Sequence, residues 1–88
     1  LQRMLTLKMA EIESLREAAG RDEELIGIRS RIAAAAASQL KNGTITASQY
    51  MTELNNEKQA VIAAAARRIS IARAETEYLY ITGYKTRE

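Results

Sequence analysis

The residues of this chain that could do acid–base or nucleophilic chemistry are few and badly grouped. The carboxylate pairs Glu23/Glu24 and Glu75/Glu77 need a pocket to lift one pKa and hold a general acid, and both fall on solvated faces. Lys58 has no partner nearby to tune it. The serines and threonines lack a base, because the chain contains no His. Cys is absent too, which removes thiol chemistry and, with His missing, the usual zinc sites; it leaves the redox compartment open. The glycines do not form a phosphate loop. No enzyme activity, metal or cofactor is expected.

One stretch remains that could work by contact: Lys41-Asn42-Gly43-Thr44-Ile45-Thr46-Ala47-Ser48. Here helix-stopping and helix-starting signals stand side by side. Asn42-Gly43 ends a helix, because Gly takes a left-handed backbone without a Cβ clash and Asn tolerates one. Thr46 and Ser48 can each cap a following helix by accepting hydrogen bonds from its free N–H groups. Gly43 is expected at positive φ, with Thr44 and Ile45 projecting beyond the cover of either helix. The same residues also have a plain reading, in which the stretch is only a turn.

The elements that position this stretch follow from periodicity. No Pro interrupts the chain. Before the turn, Leu5, Ile12, Ala19, Ile26, Ala33 and Leu40 recur every seven residues, with Met9, Leu15, Leu25, Ile32 and Ala36 beside them. Such a sustained stripe is a coiled-coil seam. Gly20 followed by Asp22, Glu23 and Glu24 resembles a second helix start, but the stripe keeps its phase across it, so one continuous helix is expected. After the turn the stripe is Met51, Lys58, Ala65, Ala72 and Leu79, joined by Leu54, Ile62, Ile69 and Thr76, with the Lys58 stem lying along the seam. Gly83 reads as a C-terminal signal. The expected fold is all-α: a long antiparallel two-helix coiled-coil hairpin. It has a helix over 2–40, a tip turn over 41–46, a second helix over 47–82 and a frayed tail over 83–88.

Composition agrees. Hydrophobic residues make up 47% of the chain, but Tyr is the only aromatic, and much of the apolar content is Ala. That suits a thin seam between closely approaching helices better than a thick core. Thirteen basic residues against 11 acidic ones, scattered and not striped, do not predict a nucleic-acid binder. No stretch approaches the roughly 20 apolar residues of a membrane-spanning helix. The start at Leu1 and the lack of a signal-peptide pattern are expected of a processed chain or an excerpt of a larger one.

Order and spacing add a resemblance. The run Gln39-Leu40-Lys41-Asn42-Gly43-Thr44-Ile45-Thr46, then Tyr50, Leu54-Asn55, Glu57, Ala60, Tyr78-Leu79-Tyr80 and Gly83, with Asp22-Glu23-Glu24-Leu25-Ile26 and Ile28-Arg29 in the first arm, resembles the TolC-type outer-membrane efflux duct family, particularly forms from Bacteroidetes-like bacteria. The resemblance implies the C-terminal periplasmic helical hairpin of a trimeric channel of a Gram-negative outer membrane. In that family, hairpin tips form the inner end of a helical tunnel. A Gly-x-x-Thr-like turn, matched by Gly43 and Thr46, meets a periplasmic adaptor protein that links the duct to an inner-membrane pump. The partner-binding tip residues implied are Asn42, Gly43, Thr44, Ile45, Thr46, Gln49 and Tyr50. Two departures stand out. Many members carry an acidic residue where this chain has Gln49, and Leu or Val where it has Tyr50 and Met51. An acidic entrance ring is therefore not expected from this turn. Two other classes fit a bare hairpin: a coiled-coil spacer, and a helical-bundle interaction module without a transport role. In isolation the hairpin is expected to self-associate, since two helices leave apolar surface uncovered.

Overall fold

The computed structural model describes the backbone of residues 2–87 and the side chains of residues 2–83. Two helices account for nearly all of it: α1, Gln2–Lys41, and α2, Ala47–Arg87. They fold back on one another into a rod of 68 × 15 × 12 Å. This is the expected antiparallel hairpin.

α1 runs without a break through Gly20 and Gly27. Its stripe faces α2 as the periodicity predicts: Ile12 and Ala33 are buried, and Leu5, Ala19, Ile26 and Leu40 are half-buried. The alternate seam places, spaced three and four from these, hold Lys8, Leu15, Asp22, Arg29 and Ala36. Three expected companions lie outside the seam: Met9, Leu25 and Ile32 are 56%, 41% and 38% exposed.

α2 differs from expectation in its phase. The side chains it turns toward α1 are Tyr50, Glu57, Ala64, Ile71 and Tyr78, alternating with Glu53, Ala60, Arg67, Ala74 and Ile81; all are buried or half-buried. The series Met51, Lys58, Ala65, Ala72 and Leu79 is one residue further on, and each member is exposed. One residue is a rotation of about 100° on a helix. Hence Lys58 does not lie along the seam, and Ile62 and Ile69 stand out at 52% and 62% exposure. The physical reason is that the true seam tolerates charge. Ser30 donates to Glu57 Oε2 at 2.7 Å, and Arg67 Nε donates to Asp22 Oδ2 at 2.9 Å. These polar groups of the seam thus meet partners instead of bare hydrocarbon.

The core between the arms is thin. Its buried members among the described residues are Ile12 and six alanines: Ala18, Ala33, Ala36, Ala60, Ala64 and Ala74. Ala-on-Ala contacts bring the backbones close, but each removes little apolar area from water. Towards the open end, Lys8 Nζ donates to Glu77 at 2.8 Å and to Glu11 at 3.0 Å, and Arg16 pairs with Glu75.

α2 continues past Gly83 to Arg87, where the sequence predicts an end at 82. Gly83 has no positive φ and serves as an ordinary helical residue. Of the expected tail, Glu88 and the side chains of Tyr84–Arg87 lie outside the described residues.

Candidate functional site: the hairpin tip

The tip is built by two reciprocal end motifs. α1 stops because Gly43 takes φ +77°. The chain then turns back on the last helical carbonyls: Thr44 N–H donates to Gln39 O at 2.9 Å, and Gly43 N–H to Leu40 O at 3.0 Å. This pair of bonds is a Schellman motif with Gly43 at its left-handed position. The Thr44 hydroxyl adds a second bond to Gln39 O at 3.0 Å, and Asn42 N–H donates to Ser38 O at 3.0 Å.

α2 starts with a capping box. Gln49 N–H donates to Thr46 Oγ1 at 3.1 Å, and Thr46 N–H donates back to Gln49 Oε1 at 2.8 Å. Two of the free donors at the helix start are thereby satisfied. Thr46 is the cap. Ser48 lies inside α2, where its carbonyl accepts from the Thr52 hydroxyl. The Gln49 amide carries out the return bond of the box.

The tip residues named from the sequence sort into two groups. Asn42, Gly43, Thr44, Thr46 and Gln49 are exposed, while Ile45 and Tyr50 are half-buried. Ile45 does not project free as expected. With Gln49 and Thr52 it lines a groove against Ile32, Ala36 and Gln39 of α1. An apolar residue just past a Schellman turn packs back on the preceding helix in this way. Tyr50 is the first seam residue of α2. The surface at the apex is therefore Asn42, Gly43 and Thr44, and nothing lies within 4 Å of where a Gly43 Cβ would stand.

No group at the tip is set up for proton transfer or metal binding. Among the described residues no cluster of His, Cys, Asp or Glu could hold a metal ion. The displaced pKa values belong to the ion pairs of the arms. The hydrogen bonds that Lys8 donates to Glu77, and then to Glu11, hold it above its ordinary value. The Lys8 hydrogen bond holds Glu77 below the usual carboxylate range. Asp22 raises the Arg67 guanidinium in the same manner.

Outside the tip, two grooves flank the seam on opposite sides, and sequence periodicity had not separated them. One is lined by Met9, Glu13 and Arg16 of α1 with Glu75 and Leu79 of α2. The other is lined by Met4 and Lys8 with Glu77 and Tyr80, and nearer the tip by Ile32 and Gln39 with Gln49 and Thr52.

Fold and site together define a class: an antiparallel coiled-coil hairpin with a rigidly capped, exposed tip and uncovered apolar flanks. Comparison with family models, with curated proteins and with solved structures finds no match for this chain.

Proposed function

We propose that this hairpin is a structural part of the periplasmic tunnel of an outer-membrane efflux channel, and that its tip docks a periplasmic adaptor protein. The observation that carries the reading is the apolar stripe on the side of α2 turned away from α1. Ile62, Ile69 and Leu79 are each more than half exposed there. A helix in a tunnel wall has a neighbour on each side, so it needs two contact faces; α2 meets α1 through one and carries this apolar stripe, uncovered, outside it. The apex suits docking by backbone contact, since Gly43 leaves it bare and two end motifs hold it fixed. No helix among the described residues is long and apolar enough to cross a membrane, so the hairpin itself would stand beside the bilayer. In this reading the complete protein is a homotrimer in the outer membrane of a Gram-negative bacterium, working with an inner-membrane pump.

The test uses the complete protein that carries the hairpin. Gly43→Asn places a side chain on the apex while keeping a residue that tolerates positive φ. The expected result is loss of efflux with trimer assembly and membrane insertion retained. A photoreactive residue in place of Asn42 should cross-link to the adaptor. Normal efflux together with no cross-link refutes the docking role.

A further inference from the structure

We infer that the flank bearing Met51, Leu54 and Val61 is a pairing surface for a second copy of this chain. The two hairpins would lie face to face with their tips together, forming a closed four-helix bundle.

The argument begins with what shares that flank. Met51, Leu54, Lys58 and Val61 line one surface depression of α2. Leu79 and Glu75 continue their two seven-residue series, and both line the groove shared with Met9, Glu13 and Arg16. Counting on by sevens from Glu13 gives Gly20, Gly27 and Ala34; counting on from Met9 and Arg16 gives Glu23, Ser30 and Ala37. The seam holds its seven-residue phase along the rod, so these residues stay on one flank.

Next comes the register. Ser30–Glu57 and Asp22–Arg67 place residues about equally distant from Thr44 at the same height. Level pairs on this flank are then Ala37 with Met51, Ala34 with Leu54, Ser30 with Lys58, Gly27 with Val61, Glu23 with Ala65, and Gly20 with Arg68. In each pair one side chain is large and the other small. From Gly27 to Ala37 the flank is thus a ridge on α2 beside a shallow trough on α1, and Glu23 with Ala65 reverses the order.

A two-fold axis along the rod lays α2 of one copy over α1 of the other at equal height. Each ridge residue then faces the partner's trough: Leu54 over Ala34, Val61 over Gly27, Met51 over Ala37. Charges are mixed: Arg68 comes within a turn of the partner copy's Glu23 and Glu75 within a turn of its Arg16, opposite in sign both times, while Glu75 stands level with the partner copy's Glu13. The area suffices. The flank from Met9 to Ala37 is ~42 Å long at 1.5 Å per residue, and the rod is 15 Å wide. Two copies would bury roughly 1,300 Å², within the range of stable interfaces. The opposite flank is less suited, because its ridge of Leu25, Ile28 and Ile32 is level with the polar Asn56 and Gln59 over much of its length. An isologous pair closes on itself. The inference concerns this chain alone and holds or fails independently of the tunnel reading.

The experiment is sedimentation equilibrium on the 88-residue chain, with circular dichroism as the folding control. The expected species is a dimer. Gly27→Leu fills the trough while favouring helix, and should weaken the dimer about tenfold or more without loss of helicity. Val61→Ser should weaken it from the other side, and Ile28→Ser on the opposite flank should leave it unchanged. The chain has no cysteine, so Ala34→Cys and Leu54→Cys chains can be mixed and oxidised; a mixed disulfide is expected in preference to either symmetric one. A monomer at all concentrations, an open series of larger species, dimers insensitive to both Gly27→Leu and Val61→Ser, or preferential symmetric disulfides would each overturn the proposal.

Discussion

A single chemical change, glycine to alanine, should lower stability at one position of this hairpin and raise it at two others. At Gly43 the backbone has φ +77°, where a Cβ costs roughly 1–2 kcal/mol through its approach to the following carbonyl oxygen. No steric collision adds to this, since nothing lies within 4 Å of the built Cβ. Reduced freedom of the unfolded chain returns about 0.4–1 kcal/mol. Gly43→Ala should therefore cost on the order of 1 kcal/mol, which lowers Tm by about 4–8 °C in a chain of this size. At Gly20 the surroundings are equally open, but the residue is inside α1. There alanine is better than glycine by about 1 kcal/mol, and Tm should rise by a similar amount. Gly83 is likewise inside α2 without a positive φ and in open surroundings, so Gly83→Ala should also stabilise, and a destabilisation would refute its helical conformation. The assay is thermal melting by circular dichroism at one fixed protein concentration, because association shifts Tm. Equal shifts at Gly43 and Gly20 would refute the assignment of Gly43 as the left-handed position of the turn.

Three further outcomes follow from the geometry. Ala64→Leu should destabilise by about 1–3 kcal/mol by overpacking the seam, since Ala64 is only 2% exposed; Ala65→Leu, on the exposed series, should be near neutral, and denaturant midpoints separate the two. Thr46→Ala should cost about 1 kcal/mol by opening the capping box, checked by amide exchange at Gln49. The Lys8–Glu77 pair should weaken at both pH extremes. Glu77 sits below its ordinary 4.5, so its contribution is present above that value and lost as pH falls through the lower folded value. Lys8 sits above its ordinary 10.5, so its contribution is present below that value and lost as pH rises through the higher one. The pair is solvent-screened and the effect small; carboxyl NMR titration of Glu77 should show a lowered midpoint that Lys8→Met removes.

Much of this was legible in the sequence because two signals agreed. The stripe Leu5 to Leu40 kept its phase through Gly20, and the Asn-Gly turn stood beside a Thr cap. Both survive in the structure as one unbroken α1 and a Schellman turn followed by a capping box. The Thr46–Gln49 spacing already carried the box signature, and read that way it would have assigned Gln49 an internal role. The phase of α2 was not legible, because apolarity was the only criterion and the wrong series was the more apolar one. Leu54, Ile62 and Ile69 outweigh Glu53, Glu57 and Arg67 on any hydrophobic scale. What places the second set inside is a pairing across the seam, Ser30 to Glu57 and Asp22 to Arg67, and such pairings are absent from the linear pattern of one helix. The end of α2 was misjudged because Gly83 was given the role of Gly43, although Thr82 and not Asn precedes it.

The polar seam and the apolar outer surface of α2 have one cause. A helix buried on a single stripe can place all its large apolar residues there, as a two-helix protein needs for its own stability. Here six of the seven buried core residues are alanine, and charged groups hold seam places beside them. Such a seam specifies register and direction, because Asp22–Arg67 and Ser30–Glu57 match only in this alignment, but it removes little apolar area from water. Of the large side chains that could have strengthened it, Met51 and Leu79 lie one step round the helix and Ile62 and Ile69 two, with 52–66% of their surface exposed. The hairpin therefore leaves uncovered the large apolar side chains of α2 that its own seam does not use. Its own contacts choose which residues face outward, and further helices covering those residues would supply most of the apolar burial that holds it folded.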